Sequence, residues 1–319
     1  MIEFDKVSKQ FPDGTKAVDN ISFRVEPGEL FVLIGPSGCG KTTTMKMINR
    51  LIDTTSGKIS INDENILHKD LHKLRWEIGY VLQQIALFPH MTIAENIAIV
   101  PELKKWEKKR TEKRIDELME MTGLDPDTYR NRLPKELSGG QQQRVGVIRA
   151  LAGDPDILLM DEPFSALDPI SREQLQKDIA SLQRDIKKTI VFVTHDMDEA
   201  LQLGDRIAVM QEGKIVQMDT PDNLLEHPAD DFVKSFIGER KDMWETRVEA
   251  AMMPVPEPLP PDLPSVNAEL SLREAVRVLQ ESEKEQAAVL KENKIAGVIT
   301  NKSVLAYLMP GQKKEGGRK

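Results

Sequence analysis

Residues 35–42 constrain the fold of this chain more than any other stretch. An apolar run at residues 30–34 precedes them, and the helix-favouring residues 45–48 follow. The stretch, with the residue after it, reads Gly35, Pro36, Ser37, Gly38, Cys39, Gly40, Lys41, Thr42 and Thr43. Glycine lets the backbone curl so that successive N–H groups point toward one phosphate group, and a helix that begins there adds the positive end of its dipole. The pattern therefore predicts a phosphate-binding loop between a strand and a helix.

Two side chains at the end of this loop suit the chemistry of a bound nucleotide. In loops of this kind the lysine reaches the terminal phosphates and the next hydroxyl binds Mg²⁺, which are the roles expected of Lys41 and Thr42. A glycine turn that matches by chance is the alternative for a short pattern taken alone. The order of strand, loop and helix disfavours that alternative.

Three other apolar runs end in polar residues that a Mg²⁺–phosphate site uses. The residues at the ends of these runs are Gln83, the pair Asp161 and Glu162, and His195. Ligands of open α/β sheets bind beyond the carboxyl ends of the strands. Asp161 is expected to hold Mg²⁺ through water, and Glu162 to take a proton from the attacking water. Gln83 is expected to hold Mg²⁺ or its water and His195 to touch the γ-phosphate, the alternatives being an ordinary loop glutamine and a capping histidine.

A second glycine turn stands before another helical stretch. Ser138, Gly139, Gly140 and Gln141 precede residues 142–150. Ser138 is predicted to be the N-cap of that helix. Bare N–H groups beside a serine hydroxyl also form a second phosphate-binding surface. One nucleotide needs only one such surface on each of its faces.

The other stretches of the first 121 residues are predicted from their periodicity. Residues 2–26 alternate apolar and polar side chains around a turn at 12–14, which predicts antiparallel strands that continue at 57–61. Residues 85–91 form an apolar loop, which either folds back onto its own core or makes a docking groove for a partner. Residues 92–96 are predicted to start a capped helix, and residues 104–121 to form a solvated helix of a small helical subdomain.

Length and charge narrow the class of protein. The chain has 319 residues, a formal charge of −8 and a single cysteine. Such a length predicts about two domains. The acidic balance argues against a nucleic-acid partner, and one cysteine fits a reducing compartment. No apolar run approaches the roughly 18 residues of a membrane span, and the first residues do not resemble a signal peptide. Work at a membrane is therefore expected from the cytoplasmic side, through a partner.

Taken together, these motifs resemble the complete set of the ABC-transporter ATPases, in order and at similar spacing. The set comprises residues 35–42, Gln83, residues 137–141, residues 157–162, Asp168 and His195. Over residues 1–238 the resemblance implies an α/β fold, an ABC-type P-loop NTPase with a RecA-like core, an antiparallel β subdomain and a helical subdomain at about 88–152. It also implies a head-to-tail homodimer. Each ATP, with Mg²⁺, would lie between residues 35–42 of one copy and Ser138, Gly139 and Gly140 of the other.

The same resemblance assigns further residues and partners. It implies that Gln141 and Asp168 belong to the nucleotide-binding set and that Phe11 would stack on the adenine ring. The position of Phe11 alone suggests instead that it packs in the hydrophobic core. Residues 46–51 and 82–92 resemble importers of glycine betaine, carnitine and choline. That resemblance implies an ATP hydrolase that couples to uptake of a quaternary amine through a membrane permease and, indirectly, a solute-binding protein. The alternatives are a soluble ABC ATPase acting on nucleic acid or ribosomes, and an importer ATPase for a different small solute.

The remainder of the chain changes in composition. Residues 239–264 become polar and then rich in proline, which predicts a linker that is semi-rigid where proline dominates. Residues 265–310 are predicted to alternate helix and strand and resemble a single CBS motif. Two such tails would pair with each other, or the unit is a degenerate remnant. The hypothesis is that the tails sense ionic strength or a nucleotide. The basic residues 311–319 would lie on anionic lipid or form a frayed terminus.

Overall fold

The computed structural model describes residues 1–165, 167–238, 246–256, 263–282, 284–291 and 294–308. The chain folds as two compact units, Met1–Ile237 and Gly238–Lys319. The strands of the first unit are β1 (Ile2–Gln10), β2 (Lys16–Val25), β3 (Leu30–Ile34), β4 (Ser56–Ile61), β5 (Glu64–Asn65), β6 (Ile78–Val81), β7 (Ile157–Asp161), β8 (Thr189–Thr194), β9 (Arg206–Gln211) and β10 (Lys214–Asp219). Its helices are α1 (Lys41–Ile48), α2 (Leu71–Trp76), α3 (Ile93–Leu103), α4 (Lys108–Met121), α5 (Pro126–Tyr129), α6 (Gly139–Ala152), α7 (Pro169–Ile186), α8 (Met197–Leu203), α9 (Pro221–Glu226) and α10 (Asp231–Ile237).

The central sheet has six strands in the order β10-β9-β3-β8-β7-β6. All neighbouring pairs from β9 to β6 are parallel, and only β10 runs antiparallel to its neighbour. Every residue of β3, β7 and β8 is buried, as expected of parallel strands that are covered on both faces. The carboxyl ends of β3, β8, β7 and β6 therefore lie at the same edge of the sheet. The predicted site residues that follow these strands lie at that edge too.

An antiparallel sheet of four strands, in the order β2-β1-β4-β5, lies beside the central sheet. The predicted antiparallel pairing of the amino-terminal strands is confirmed by the register of β1 with β2 and β4. The rings of Phe4 and Phe23 stack with centroids 4.3 Å apart, and Phe23 stacks on Phe31 of β3 at 5.2 Å. This aromatic stack joins the antiparallel sheet to the core under the phosphate-binding loop.

Helices α3 to α6 form the helical part of the first unit. Thr92 caps α3 through a capping box with Glu95, as its sequence predicts. The charged helix begins at Lys108, four residues later than predicted, because the chain turns at Lys105, whose φ is 57°. Helices α3, α4 and α6 bury one apolar cluster, which includes Ile97, Leu118 and Val145.

Where the structure describes the second unit, it contains a sheet of three strands and two α-helices. They are β11 (Ser265–Asn267), α11 (Leu272–Glu281), β12 (Gln286–Lys291), β13 (Lys294–Thr300) and α12 (Asn301–Leu308). Strand β12 lies between β11, to which it is parallel, and β13, to which it is antiparallel. Helix α11 has a large apolar face and a capping box between Ser271 and Glu274, as predicted for this stretch.

The second unit begins earlier in the chain than predicted. Val248 and Ala251 are buried in its apolar cluster, and Met253 forms a bridge with Val298 of β13. The stretch from 246 to 253 therefore packs as part of this unit, whereas the sequence assigned 239–264 to a linker. Apolar side chains that cover the small core outweigh the polar and proline-rich composition around them.

Several predictions fall on residues that the structure does not describe. The basic tail at 311–319, part of the proline-rich stretch at 257–262 and the polar residues 239–245 lie outside the described residues. Among the helices that are described, none is both long enough and apolar enough to cross a membrane.

Candidate active site

The predicted phosphate-binding loop lies between β3 and α1. Gly40 is the N-cap of α1, with φ 105°, and a Cβ built on it would lie 2.3 Å from the carbonyl oxygen of Ala17. Only glycine fits such a left-handed position so close to another backbone. No side chain of the described residues caps α1. Its first N–H groups therefore remain for a ligand, and Thr43 lies among them in the first turn.

Lys41 is held inside the loop by backbone carbonyls. Its side chain is 5% exposed, and Nζ donates to the carbonyl oxygens of Gly35 at 2.7 Å and Pro36 at 3.0 Å. The third N–H of the ammonium group points toward Sγ of Cys39 at 3.9 Å, a weak acceptor that a phosphate oxygen can replace. Cys39 beside it is buried, and burial raises the pKa of its thiol. Cys39 therefore contributes its backbone to the phosphate-binding loop and does not supply a thiolate.

Thr42 and Asp161 are in direct contact, as the sequence leads one to expect of two Mg²⁺ ligands. The Thr42 hydroxyl donates to Oδ1 of Asp161 at 2.9 Å, which joins the start of α1 to the end of β7. The Tyr80 hydroxyl donates to Oδ2 of the same carboxylate at 3.3 Å. A hydroxyl and a carboxylate are hard oxygen ligands, the type that Mg²⁺ prefers. The pair therefore fits that ion.

Glu162 lies at the centre of a second polar group. Its Oε2 accepts a hydrogen bond from Nε2 of Gln83 at 3.2 Å and lies 3.1 Å from Nδ1 of His195. The backbone of Glu162 has φ 44°, and its N–H donates to the carbonyl oxygen of Val193 on β8. A left-handed conformation at a non-glycine residue costs free energy and is common at functional sites. The structure thus brings Gln83 and His195 into contact with the predicted base.

The second glycine turn begins α6, in the helical part of the unit. Ser138 and Gln141 form a capping box, with the Ser138 N–H donating to Gln141 Oε1 at 2.9 Å. A Cβ on Gly140 would lie 2.7 Å from the Ser171 hydroxyl of α7, whereas a Cβ on Gly139 would have no heavy atom within 4 Å. The turn is therefore packed on one side and open on the other.

Asp168 and Phe11 stand at the ends of other elements. Oδ1 of Asp168 accepts a hydrogen bond from the N–H of Ser171, so Asp168 stabilises the start of α7. Phe11 is half-buried just beyond β1, and Nζ of Lys9 lies 5.3 Å from the centroid of its ring. Their roles toward a nucleotide stay predictions.

Sequence reasoning missed two supports of this site. The first is Tyr80, whose pKa is raised by burial and by the charge of Asp161. It was detectable as the one polar side chain inside the apolar strand β6, which pairs with β7. The second is the buried pair Thr194 and Glu199: the Thr194 hydroxyl donates to Glu199 Oε2 at 2.5 Å and accepts from the N–H of Asp196. This pair holds the turn that carries His195, and burial raises the pKa of Glu199.

The fold and this edge of the sheet define a P-loop ATPase, and comparisons with known proteins agree. The sequence profile described as "ABC transporter" matches residues 18–165. An osmoprotectant import ATP-binding protein of Salmonella typhimurium is 57% identical over 75% of this chain and 64% of its own length. A carnitine transport ATP-binding protein of Listeria monocytogenes is 49% identical over 92% of this chain and 73% of its own length.

Solved structures give the same result. A protein of Clostridium perfringens described as part of an ABC transporter complex matches with a TM-score of 0.66 and 26% identity, over 71% of this chain and 90% of that one. A dimeric ATP-binding cassette in a post-hydrolysis state, bound to ADP and Pi, matches with a TM-score of 0.63 and 33% identity, over 69% of this chain and 99% of that one. The chain belongs to the ATP-binding proteins of ABC transporters and is an ATP hydrolase, as its sequence predicts.

Proposed function

We propose that this chain is the ATP-hydrolysing subunit of an importer for quaternary amine osmoprotectants. The observation that carries the proposal is similarity over nearly the whole chain to proteins named for such solutes. Besides the carnitine protein, a choline transport protein of Bacillus subtilis is 47% identical over 92% of this chain. Glycine betaine, carnitine, choline and proline betaine are the solutes proposed for this chain.

The proposed chemistry divides the site into three groups. Thr42 and Asp161, with Gln83, hold Mg²⁺, which when bound neutralises charge on the phosphate oxygens. Lys41 and the N–H groups of residues 35–43 bind the phosphates and stabilise the charge that develops during phosphoryl transfer. Glu162 takes a proton from the attacking water, and His195 contacts the γ-phosphate. The hydrogen bond between Thr42 and Asp161 supports the first group, and the contact of Glu162 with His195 supports the last, while Gln83 lies beside both groups through its bond to Glu162.

Two copies of the chain are proposed to bind ATP between them in a head-to-tail dimer. In this arrangement residues 35–42 and Asp168 of one copy, with Phe11 on the adenine, meet Ser138, Gly139, Gly140 and Gln141 of the other. The open side of Gly139 and the dimeric form of a related cassette support this proposal. ATP then closes the dimer, and hydrolysis reopens it.

A permease is the proposed membrane partner, through which the ATPase would lie on the cytoplasmic face of the membrane and act with a solute-binding protein. Residues 82–91, named here the coupling loop, offer it an apolar surface. Leu82 is 37% and Phe88 47% exposed, whereas Leu87 packs against the core. Apolar loop residues that do not return to the core are suited to docking a partner.

Solute-stimulated ATP hydrolysis tests the proposal. With permease and binding protein in vesicles, glycine betaine or carnitine is expected to raise the steady-state release of phosphate several-fold above the rate without solute. Maltose serves as the control solute. No stimulation by any quaternary amine, or equal stimulation by maltose, would reject the substrate class.

The small carboxyl-terminal unit is proposed to be a single CBS-like motif that regulates the ATPase. Its order of strand, helix, two strands and helix supports that assignment. A regulatory coupling of about 1–3 kcal/mol corresponds to roughly 5- to 150-fold in affinity. Deletion of residues 239–319 is therefore expected to leave basal hydrolysis unchanged and to flatten the dependence of transport on salt. An unchanged salt response of uptake in vesicles would reject the regulatory role.

A further inference from the structure

We propose that Asn96 and Arg149 are positioning residues that fix the coupling loop to two different helices, so that movement of α6 reaches the surface on which the permease docks. The proposal rests on the proposed function. Neither side chain belongs to the ATP site. The loop joins Gln83, which contacts Glu162, to the half-exposed Phe88.

Asn96 fixes the far end of the loop. Its side chain, on α3, is fully buried. Oδ1 accepts from the N–H of Phe88 at 2.8 Å, and Nδ2 lies 3.2 Å from the carbonyl oxygen of Phe88, 3.1 Å from that of Met91 and 3.0 Å from that of Thr92. The oxygen and the NH₂ group of the Asn96 amide therefore both contact backbone groups at this end of the loop. A buried amide with this many partners specifies one backbone arrangement, because loss of the partners would leave polar groups unpaired.

Arg149 fixes the middle of the loop. Its Nη1 donates to the carbonyl oxygen of Ala86 at 2.5 Å. Arg149 lies on α6, the 14-residue helix that begins beside Ser138. A helix of that length is about 21 Å long, and a rigid helix can carry coupling between sites at its two ends. A displacement of the Ser138 turn, as ATP joins or leaves it, is thus carried to Ala86.

The coupling loop itself contains no helix or strand in the described structure. Its backbone groups are therefore not ordered by a ladder of their own, and side-chain bonds from α3 and α6 decide where Phe88 stands. The arrangement connects three sites: the reacting edge at Gln83, the second phosphate-binding surface at Ser138 and the permease surface at Phe88. Without the two side chains, hydrolysis would continue while its effect on the permease is lost.

Two variants test this inference, with a matched control. Asn96→Ala and Arg149→Met remove the loop bonds. Arg114→Met removes an arginine of the same subdomain whose Nη2 donates to the carbonyl oxygen of Leu151, outside the loop. In the vesicle-reconstituted complex with glycine betaine, both loop variants are expected to keep the basal hydrolysis rate and to lose about tenfold in uptake and in stimulated hydrolysis. That size is expected of one charged hydrogen bond, lost in Arg149→Met, and of several neutral ones, lost in Asn96→Ala. A residue that supports only the fold would lower basal and stimulated rates together, and that result would overturn the inference.

A second measurement does not depend on the solute. Amide hydrogen exchange of residues 83–91 is expected to be about tenfold faster in the two loop variants than in the parent and in Arg114→Met. Loss of one charged hydrogen bond at Arg149, or of several neutral ones at Asn96, weakens protection by about that factor. Unchanged exchange in the loop would overturn the inference. If the parent complex responds to no quaternary amine, the proposed function fails, while exchange still decides whether these residues hold the loop. Arg149→Lys, which keeps a positively charged donor group but not the guanidinium geometry, replaces Arg149→Met if that variant does not fold, and intermediate exchange is then expected.

Discussion

Replacement of Glu162 by glutamine is expected to lower the steady-state rate of ATP hydrolysis by about 10²- to 10⁴-fold, the usual contribution of a general base. The amide cannot take a proton from the attacking water, but it has the size of the carboxylate and keeps an oxygen that can accept from Gln83. The left-handed backbone at position 162 is unaffected, since the change is confined to the end of the side chain. ATP binding should therefore persist, and the proposed closed dimer should accumulate, because in that proposal its reopening requires hydrolysis.

Phosphate release and equilibrium binding of ATP, measured on the same preparation, separate these effects. Glu212→Gln is a matched control, because Glu212 is an exposed glutamate with a similar left-handed φ of 47° in the turn between β9 and β10. Its hydrolysis rate should equal that of the parent. Equal turnover by Glu162→Gln and the parent would remove Glu162 from the role of base.

Much of the first unit could be predicted from sequence because its strands are fully buried. Residues 30–34, 157–161 and 189–194 have no polar face, and continuous apolar runs of that length are characteristic of parallel strands between helices. Once the strands are parallel, their carboxyl ends must meet, so the grouping of Gln83, Asp161, Glu162 and His195 follows from topology alone.

The supports of the site were less accessible from sequence. The contacts of Tyr80 with Asp161 and of Asn96 with Phe88 depend on register and on side-chain direction, which periodicity does not encode. Neither does periodicity show that Glu162 has a left-handed backbone. These features result from packing between elements that are distant in the chain.

The start of the second unit was predicted wrongly for a related reason. Residues 246–253 have little regular pattern, and proline-rich residues follow them, so their composition resembles that of a linker. They join the unit through the buried side chains of Val248 and Ala251 and through the backbone bridge between Met253 and Val298. A few buried side chains decide membership of a small unit, but they are too few to produce a periodic signal.

Gly139 offers the sharpest test of a shared ATP site. A Cβ there meets no heavy atom within 4 Å, so Gly139→Asp should fold like the parent. An acidic residue in the first turn of α6 is also favoured by the helix dipole. In the proposed dimer, however, the new carboxylate faces the phosphates of ATP bound to the other copy. Such like-charge contacts cost several kcal/mol, so hydrolysis should fall more than about a hundredfold.

Dimerisation and mixing decide between a shared site and a damaged subunit. With saturating Mg-ATP, light scattering should show a dimer for Glu162→Gln and a monomer for the double variant Glu162→Gln, Gly139→Asp. Gly146→Asp is the control, because Gly146 lies further along α6 and a Cβ there also meets no heavy atom within 4 Å. The double variant Glu162→Gln, Gly146→Asp should stay dimeric.

Lys41→Ala and Gly139→Asp subunits should each be inactive alone and regain hydrolysis when mixed, since a mixed dimer has one site with both surfaces intact. A mixture that stays inactive while Gly139→Asp still dimerises would mean that each copy completes its own site.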